Sequence, residues 1–285
     1  MISTNNLCKS FDGFDIRNVS LNIEAGYIYG FVGQNGAGKT STIKLLMGLT
    51  NADFGDIEYF EGISLDDAKK KIGFVYDDCS YYENLSGERM AKIISKFYGD
   101  WNWDLFHNYC QRFKLPLNKK IEAYSKGMKV KFSLACAMCH CPDLLVLDEP
   151  TSGLDPMFRN ELLGIFQEYI ENGDKSVFFS THITSDLEKV ADYVYFIDNG
   201  AITLEASCDA LSENYGLIKG PKEILESNKS EIIGLTHLKY TSKGIVADKE
   251  NVGHMIENGC LVEPASYEDI LIHYIREGQN EATTY

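Results

Sequence analysis

Short apolar runs alternate with helical patterns along the first 205 residues of the chain. Four runs have the length of buried strands: YIYGFV at 27–32, LLVLD at 144–148, SVFFS at 176–180 and YVYFID at 193–198. Apolar residues at helical spacing predict helices between them, at about 40–47, 157–172 and 184–191. This alternation predicts an α/β fold, in which a mostly parallel sheet is covered by helices on both faces.

Further strands are predicted at 14–23, 56–60 and 72–76, before the pattern changes to helix upon helix between Ser86 and His140. We expect this stretch to form a helical subdomain, at about residues 78–140, inserted into the sheet domain. The apolar positions of its first two helices are Met90, Ile93, Ile94 and Phe97, and then Leu105, Phe106, Tyr109 and Phe113.

The strong pattern ends at about Glu205. The remaining residues mix short strands with helices, the last of them at about 267–276, and they contain no motif with recognisable chemistry. We therefore expect two domains. The first covers 1–205 and carries the sheet, and the second is a small α+β accessory domain at 206–285.

The composition is acidic, with 27 basic and 42 acidic residues and a formal charge of −15. Such a chain is poorly suited to bind a phosphate backbone nonspecifically, so no nucleic-acid partner is expected. The first residues lack the basic start and apolar core of a signal peptide, and no window reaches the roughly 18 to 20 apolar residues of a membrane span. We expect a cytoplasmic protein that reaches a membrane only through a partner.

The segment CAMCHC at 136–141 contains the spacing of a c-type haem attachment site and resembles part of a zinc site. However, the apolar residues from Phe132 to Cys139 recur at the spacing of a helix core, and cysteine packs there as a small apolar residue. No second pair of ligands stands nearby in the sequence. We therefore interpret these cysteines as reduced thiols in a helix core.

The segment GQNGAGKT at 33–40 fits the pattern G-x-x-x-x-G-K-[ST], directly after a predicted strand and at the start of a helix. Its glycines allow backbone N–H groups to surround phosphate oxygens. Lys39 supplies a positive charge to the β- and γ-phosphates, and Thr40 supplies a hydroxyl to Mg²⁺. The nucleotide-binding residues expected here are Gly33, Asn35, Gly36, Ala37, Gly38, Lys39, Thr40 and Ser41.

Two adjacent carboxylates, Asp148 and Glu149, follow the apolar run LLVL. Side chains alternate along a strand, so the two are expected to point in different directions. Two acids beside an apolar strand are costly unless a metal ion or hydrogen bonds compensate. We expect Asp148 to bind Mg²⁺ together with the nucleotide, in part through water, and Glu149 to face an attacking water.

In this order, the phosphate loop, LLVLDEP, TSGLDP at 151–156 and His182 resemble the ATP-binding subunit of ABC transporters, over about residues 2–205. The resemblance implies a P-loop NTPase fold of the ABC ATPase type, with ATP and Mg²⁺ as ligands. It implies a head-to-tail dimer around two ATP molecules, formed with a second copy or a homologous ATPase subunit. It also implies a transmembrane permease subunit, which would hold the protein at the inner face of the cell membrane.

The resemblance assigns roles to individual residues. It makes Glu149 the general base and places His182 against the γ-phosphate. Residues 152–155 would form the loop that crosses the dimer interface, which adds Asp155 to the nucleotide-binding set. Phe11 lies where the family places an aromatic ring under adenine, although a phenylalanine of the core is the alternative.

Two segments compete for the family motif L-S-G-G-Q, which presents Ser and Gly at a helix start to the partner's ATP. LSGE at 85–88 is closer in its letters, but Ser86 lies 62 residues before Asp148. Ser125 lies 23 residues before Asp148, which is the separation usual in the family. We therefore expect Ser125 and Gly127 to bind the nucleotide of the partner, and Ser86 to cap an ordinary helix.

The chain departs from the family pattern at three positions. Lys126 replaces a Gly of the motif and either adds charge beside phosphate or points into solvent, and Met128 replaces a Gln. Asp77 stands where the family has Gln or, in some exporters, Glu. It is expected to reach Mg²⁺, through water or with Asp78 sharing the role.

The segments SKGM and SGLDP, with STHITSDLEKVADYVYFIDNG, resemble the ABC-2-type exporter branch, some members of which are linked to antimicrobial-peptide resistance. We predict an ATPase subunit that energises export through a separate permease. One alternative is a non-transport ABC ATPase, which the single cassette and the acidic charge disfavour. The other is a nucleotide-sensing regulatory module, which Asp77 keeps open and the presence of Glu149 and His182 disfavours.

Overall fold

The computed structural model describes residues 1–77 and 81–282 of the chain. The strands are β1 Ile2–Phe11, β2 Phe14–Val19, β3 Asn22–Ile23, β4 Ile28–Val32, β5 Phe54–Tyr59, β6 Ile72–Val75, β7 Leu144–Leu147, β8 Ser176–Thr181, β9 Tyr193–Asp198, β10 Ala201–Ser207, β11 Gly216–Gly220, β12 Ile233–His237, β13 Ser242–Val246 and β14 Leu261–Pro264. The helices are α1 Lys39–Leu46, α2 Leu65–Lys71, α3 Gly87–Ile94, α4 Trp103–Arg112, α5 Lys126–Met138, α6 Pro156–Ile170, α7 Thr184–Val190, α8 Cys208–Asn214, α9 Lys222–Ser227, α10 Gly253–Glu257 and α11 Tyr267–Ala282.

The central sheet has the order β10-β9-β4-β8-β7-β6. Its inner pairs are all parallel, and β10 joins β9 antiparallel at one edge. Alternate residues of β7 enter two different cores: Leu144 and Val146 pack on one face, and Leu145 and Leu147 on the other. Because both faces are buried, the strand is apolar throughout. The predicted mostly parallel α/β sheet is confirmed.

A second sheet forms around β1, which pairs antiparallel with β2, β3 and β5. The single strand predicted at 14–23 is wrong, because the chain forms β2, a break, and only then the short β3. Asn18 near the break adopts φ +49°. The Leu21 N–H beyond it donates to the hydroxyl oxygen of Thr4 over 2.8 Å instead of continuing the ladder. Regular pairing therefore stops after Val19 and resumes only at Asn22.

The helical insert contains α3, α4 and α5, packed around the buried rings of Phe106 and Phe132. Ser86 caps α3 by accepting a hydrogen bond from the Arg89 N–H over 3.4 Å, which confirms its interpretation as a helix cap. The placement of Phe97 on the apolar face is wrong, since α3 ends at Ile94 and the Phe97 ring is 79% exposed in the turn that follows.

Cys136 in α5 and Cys139 directly after it lie in the core, which confirms their interpretation as packing residues; for Cys141, which is exposed, that interpretation is wrong. Cys136 and Cys139 are both buried, and the Cys139 thiol donates to the Ala135 carbonyl over 2.7 Å. Burial raises the pKa of both thiols well above the usual value. His140 stacks on Tyr98 with a ring separation of 4.0 Å.

The C-terminal residues form an antiparallel sheet of order β12-β13-β11-β14, against which α11 packs. The start of α11 also contacts α7: the Tyr267 N–H donates to Glu188 Oε1 over 3.0 Å, and Ile270 and Leu271 share a core with Leu187. This sheet and helix make up the expected α+β unit. The boundary between 205 and 206 stays a prediction, as does the extent of the helical subdomain. Within the described residues, every helix is too short or too polar to cross a bilayer.

Candidate nucleotide site

The phosphate loop connects the buried strand β4 to α1. Gly36 and Gly38 adopt φ +84° and +112°, which a residue with a side chain rarely tolerates. A Cβ at Gly38 would also lie 2.8 Å from Ile16 Cδ1 and 2.9 Å from Phe14 Cζ. The loop therefore needs glycine at position 38 for both its conformation and its packing. It leads directly into the N-terminus of α1, where backbone N–H groups and the helix dipole favour an anion.

A cavity of about 480 Å³ opens beside this loop. It brings together residues that lie far apart in the sequence: those of the phosphate loop, Asp77 and Glu149. The residues that line it are Phe14, Asn35, Gly36, Gly38, Lys39, Thr40, Ser41, Asp77 and Glu149. Gly33 and Ala37 lie behind the surface of the cavity: both are buried, and the Gly33 carbonyl faces Lys39.

Lys39 is only 5% exposed, and oxygen atoms surround its ammonium group. Nζ donates to the carbonyls of Gly33 over 2.8 Å and of Gln34 over 3.1 Å. It also lies 3.1 Å from Glu149 Oε1, as an ion pair without the angles of a hydrogen bond. These oxygens compensate for burial of the charge, and they hold the ammonium beside the start of α1.

Asp148 follows β7 and is buried. Two hydroxyls donate to it: Thr40 Oγ1 to Oδ2 over 2.8 Å, and Ser180 Oγ to Oδ1 over 2.6 Å. Burial raises the pKa of this carboxyl, and the charges of Glu149 and Asp77 add to the rise, while the two hydrogen bonds oppose it. The Thr40 hydroxyl and Asp148 carboxylate form an adjacent pair of hard oxygen donors, which fits the ligand preference of Mg²⁺.

Glu149 has a different environment from its neighbour. Its backbone adopts the left-handed φ of +49°, an uncommon conformation for glutamate and one that often marks functional sites. Its N–H donates to Ser180 Oγ over 2.9 Å, and its side chain turns into the cavity. Oε2 lies 2.8 Å from His182 Nδ1. Because a carboxylate only accepts, Nδ1 carries the proton in this contact.

Ser180 is a site residue that the sequence reasoning missed. Its hydroxyl contacts both acidic residues, donating to Asp148 and accepting from the Glu149 N–H, and the side chain is completely buried. The available signal was a serine at the end of the apolar run SVFFS. A buried hydroxyl in such a strand requires hydrogen-bonding partners, and here they are the Asp148 carboxylate and the Glu149 N–H.

The aromatic residue at the cavity differs from the expected one. Phe14 lines the cavity, whereas Phe11 stacks on Phe14 with ring centres 6.4 Å apart. Asp77 lines the cavity, and its Oδ1 lies 3.1 Å from Lys126 Nζ; its contact with Mg²⁺ stays a prediction. Lys126 is exposed and forms this ion pair, and its expected contact with phosphate stays a prediction. Asp78 lies outside the described residues.

Ser125, Gly127 and Asp155 are absent from the described lining of the cavity, as are Phe11, Gly33, Ala37 and Asp148 of the expected nucleotide-binding set. Ser125 is exposed and caps α5 by accepting from the Met128 N–H over 3.3 Å. Asp155 caps α6 by accepting from the Phe158 N–H over 3.0 Å. These positions are compatible with contact to a nucleotide held by a second chain, and that role stays a prediction.

The comparisons with known proteins agree with this geometry. The sequence model of the ABC transporter family matches residues 16–152. A bacitracin transport ATP-binding protein of Bacillus licheniformis is 32% identical over 75% of this chain and 72% of its own length. A lantibiotic transport ATP-binding protein of Streptococcus pyogenes is 34% identical over 75% of this chain and 93% of its own.

The solved structure of an ATP-binding subunit of an ABC transporter superposes with a TM-score of 0.67 at 26% identity. The match covers 74% of this chain and 91% of the other, so the likeness extends over most of the ATPase fold. Loop residues and Glu149 thus line one cavity, with Asp148 bonded to Thr40 and His182 beside Glu149, within a fold shared with that subunit. The chain belongs to the ABC transporter family, and it is an ATP-binding subunit that hydrolyses ATP.

Proposed function

We propose that this subunit energises the export of compounds resembling bacitracin or lantibiotics, through a separate transmembrane permease at the inner face of the cell membrane. The support is that two relatives above 30% identity are named for transport of such compounds. On this proposal the chain works as a head-to-tail dimer, with a second copy or a homologous subunit. ATP hydrolysis then returns the permease to its starting conformation, and the residues of this chain catalyse that hydrolysis.

The observation that carries the catalytic part of the proposal is the position of Glu149, whose carboxylate lies between Lys39 and His182 at the cavity. In this arrangement Glu149 accepts the proton of a water that attacks the γ-phosphorus. Lys39 offsets negative charge on the phosphates. His182 orients the Glu149 carboxylate through Nδ1–H.

Mg²⁺ belongs to the same proposal. Thr40 and Asp148 would hold it, because they are adjacent oxygen donors at the start of α1. When bound, the ion neutralises phosphate oxygens and the Asp148 carboxylate. Ser125, at the exposed start of α5, would serve the nucleotide of the partner chain, together with Gly127 and Asp155.

The catalytic assignment is tested with Glu149→Gln in the purified chain. We expect kcat for ATP hydrolysis to fall by about 10²- to 10⁴-fold, because amide nitrogen and oxygen cannot take the proton, while ATP affinity is retained. Lys39→Ala is the companion variant, and it is expected to lose nucleotide binding itself. Hydrolysis at the wild-type rate in Glu149→Gln would show that another group is the base.

The export assignment needs a separate test in the host cell. Deletion of the gene is expected to lower the bacitracin or lantibiotic concentration that stops growth. The wild-type gene should restore resistance, and the Glu149→Gln variant should not. Unchanged sensitivity of the deletion strain to both compounds would contradict the proposed substrate class, and it would leave the ATPase assignment standing.

A further inference from the structure

Two of the positions at which the chain departs from the family pattern contact one another. Asp77 follows β6 and lines the nucleotide cavity, whereas Lys126 is the first residue of α5 in the helical insert. Asp77 Oδ1 and Lys126 Nζ are 3.1 Å apart. A lysine at one position and an aspartate at the other, distant in sequence, thus form one ion pair at the edge of the cavity.

The Lys126 side chain also has a defined position on its other side. It crosses the turn that follows the acidic pair, so that a Cβ built at Gly153 would lie 3.6 Å from Lys126 Cδ. Gly153 adopts φ +71°, which bends the turn. The lysine therefore extends between this turn and Asp77.

The charges of the cavity explain why such a pair matters. Asp77 and Glu149 line the cavity and Asp148 lies behind Thr40, whereas Lys39 is the cation among the described lining residues. ATP brings several negative charges of its own. An uncompensated carboxylate at position 77 would repel them, and a glutamine in that place would not.

We propose that Lys126 is a positioning residue for the nucleotide of its own chain: its ion pair with Asp77 neutralises that carboxylate and holds it at the rim of the cavity. The two departures then compensate each other, so that an acidic residue is tolerated beside the triphosphate. This role is separate from that of Ser125, which acts on the partner's nucleotide. The inference about Lys126 rests on the proposed function in one respect, because it takes the cavity as the ATP site.

The test is a double-mutant cycle read out as binding of a non-hydrolysable fluorescent ATP analogue with Mg²⁺, at protein concentrations where the chain is monomeric. Lys126→Gln is expected to weaken binding by about three- to tenfold at low salt, since it exposes the Asp77 charge, and the loss should shrink as salt is added. In an Asp77→Asn background, Lys126→Gln should change affinity by less than about twofold. Asp77→Asn alone supplies the reference affinity for that comparison.

Lys129→Gln is the matched control, because it removes the same charge from the same helix. Lys129 is paired with Glu83 over 2.7 Å instead of with a cavity residue, so wild-type affinity is expected. Thermal denaturation of each variant checks folding, which the exposed positions of Asp77 and Lys126 should not disturb.

Three results would overturn the inference. First, Lys126→Gln could weaken binding of the analogue equally in the wild-type chain and in the Asp77→Asn background. Second, Lys129→Gln could weaken it as much as Lys126→Gln does. Third, Lys126→Gln could leave monomer affinity unchanged while ATP-driven dimerisation fails. The last result would assign Lys126 to the partner's phosphate. Normal binding of the analogue by Lys39→Ala would instead contradict the assignment of the cavity as the ATP site. This variant therefore distinguishes a failure of that assignment from a failure of the role inferred for Lys126.

Discussion

Replacing Ser180 by alanine removes one buried hydroxyl that contacts both acidic residues of the site. The oxygen donates to Asp148 over 2.6 Å and accepts from the Glu149 N–H over 2.9 Å. A hydrogen bond to a charged group contributes about 1.5 to 3 kcal/mol, and a neutral one about 0.5 to 1.5 kcal/mol. We therefore expect Ser180→Ala to lower the free energy of unfolding by about 2 to 4 kcal/mol at neutral pH.

Ser176 is a matched control on the same strand. It is also fully buried and makes two hydrogen bonds, donating to the Glu24 carbonyl over 2.6 Å and accepting from the Tyr27 N–H over 3.4 Å. Both partners are neutral backbone groups, and the second bond is long. Ser176→Ala should therefore lower the free energy of unfolding by about 1 to 2 kcal/mol, without a dependence on Asp148.

The pH dependence of the two variants should differ in a defined direction. The Ser180 hydrogen bond opposes the rise in the pKa of Asp148, so its loss raises that pKa further. A carboxyl whose folded pKa exceeds its usual value of 3.8 destabilises the fold increasingly as pH rises from that usual value through the folded pKa. The destabilisation by Ser180→Ala should thus grow from acidic to neutral pH, while that of Ser176→Ala stays constant.

The assay is urea unfolding of the nucleotide-free chain, with each variant also made in an Asp148→Asn background. The destabilisation by Ser180→Ala should fall by about 1 kcal/mol in that background, because the charged hydrogen bond is gone. Equal destabilisation by Ser180→Ala and Ser176→Ala in both backgrounds would refute the reasoning, since Ser180 would then be an ordinary packing residue.

Two further changes probe the strain and the ion pairs of the site. Gly38→Ala should lower the free energy of unfolding by more than about 1 to 2 kcal/mol and abolish ATP binding, because the new Cβ clashes with its neighbours and the left-handed backbone is strained. At Gly36 a Cβ would meet nothing within 4 Å, so Gly36→Ala should show only the effect of backbone strain in urea unfolding. Arg159→Met should lower the free energy of unfolding by about 3 to 5 kcal/mol, because it leaves the fully buried Asp186 without its ion-pair partner. Arg112 forms exposed ion pairs, so Arg112→Met should lower the free energy of unfolding by less than about 1 kcal/mol. Equal losses within either pair of variants would contradict these explanations.

Local patterns predicted the elements that are buried on both faces. The runs that became β4, β7, β8 and β9 were each placed within about one residue, because an apolar run bounded by turn residues has few other solutions. The same reasoning missed β1, whose residues ISTNNLCKSF alternate poorly, and the polar helix α2. β1 is defined by the three strands that pair with it more than by its own composition, and α2 is a polar helix whose buried residue is Ala68.

The candidate site was predicted only as far as its motifs are local. The phosphate loop is one contiguous segment and the acidic pair is another; loop residues and Glu149 line the cavity, and Asp148 lies behind Thr40. Phe14 could not be selected over Phe11, because both aromatic residues flank the same turn and only packing decides which one reaches the cavity. The contact between Asp77 and Lys126 depends on how the helical insert docks, and no local pattern reports that.

Ser180 shows why strand order matters more to this site than sequence order. Along the chain β8 comes after β7, but in the sheet it lies between β4 and β7. The register pairs Leu147 with Phe179, so the next residues, Asp148 and Ser180, are neighbours at the ends of parallel strands. The strand that separates the phosphate loop from the acidic pair thus supplies both the hydroxyl that holds the pair and, two residues later, His182. Such a bridging residue becomes visible only when the order of the strands is known.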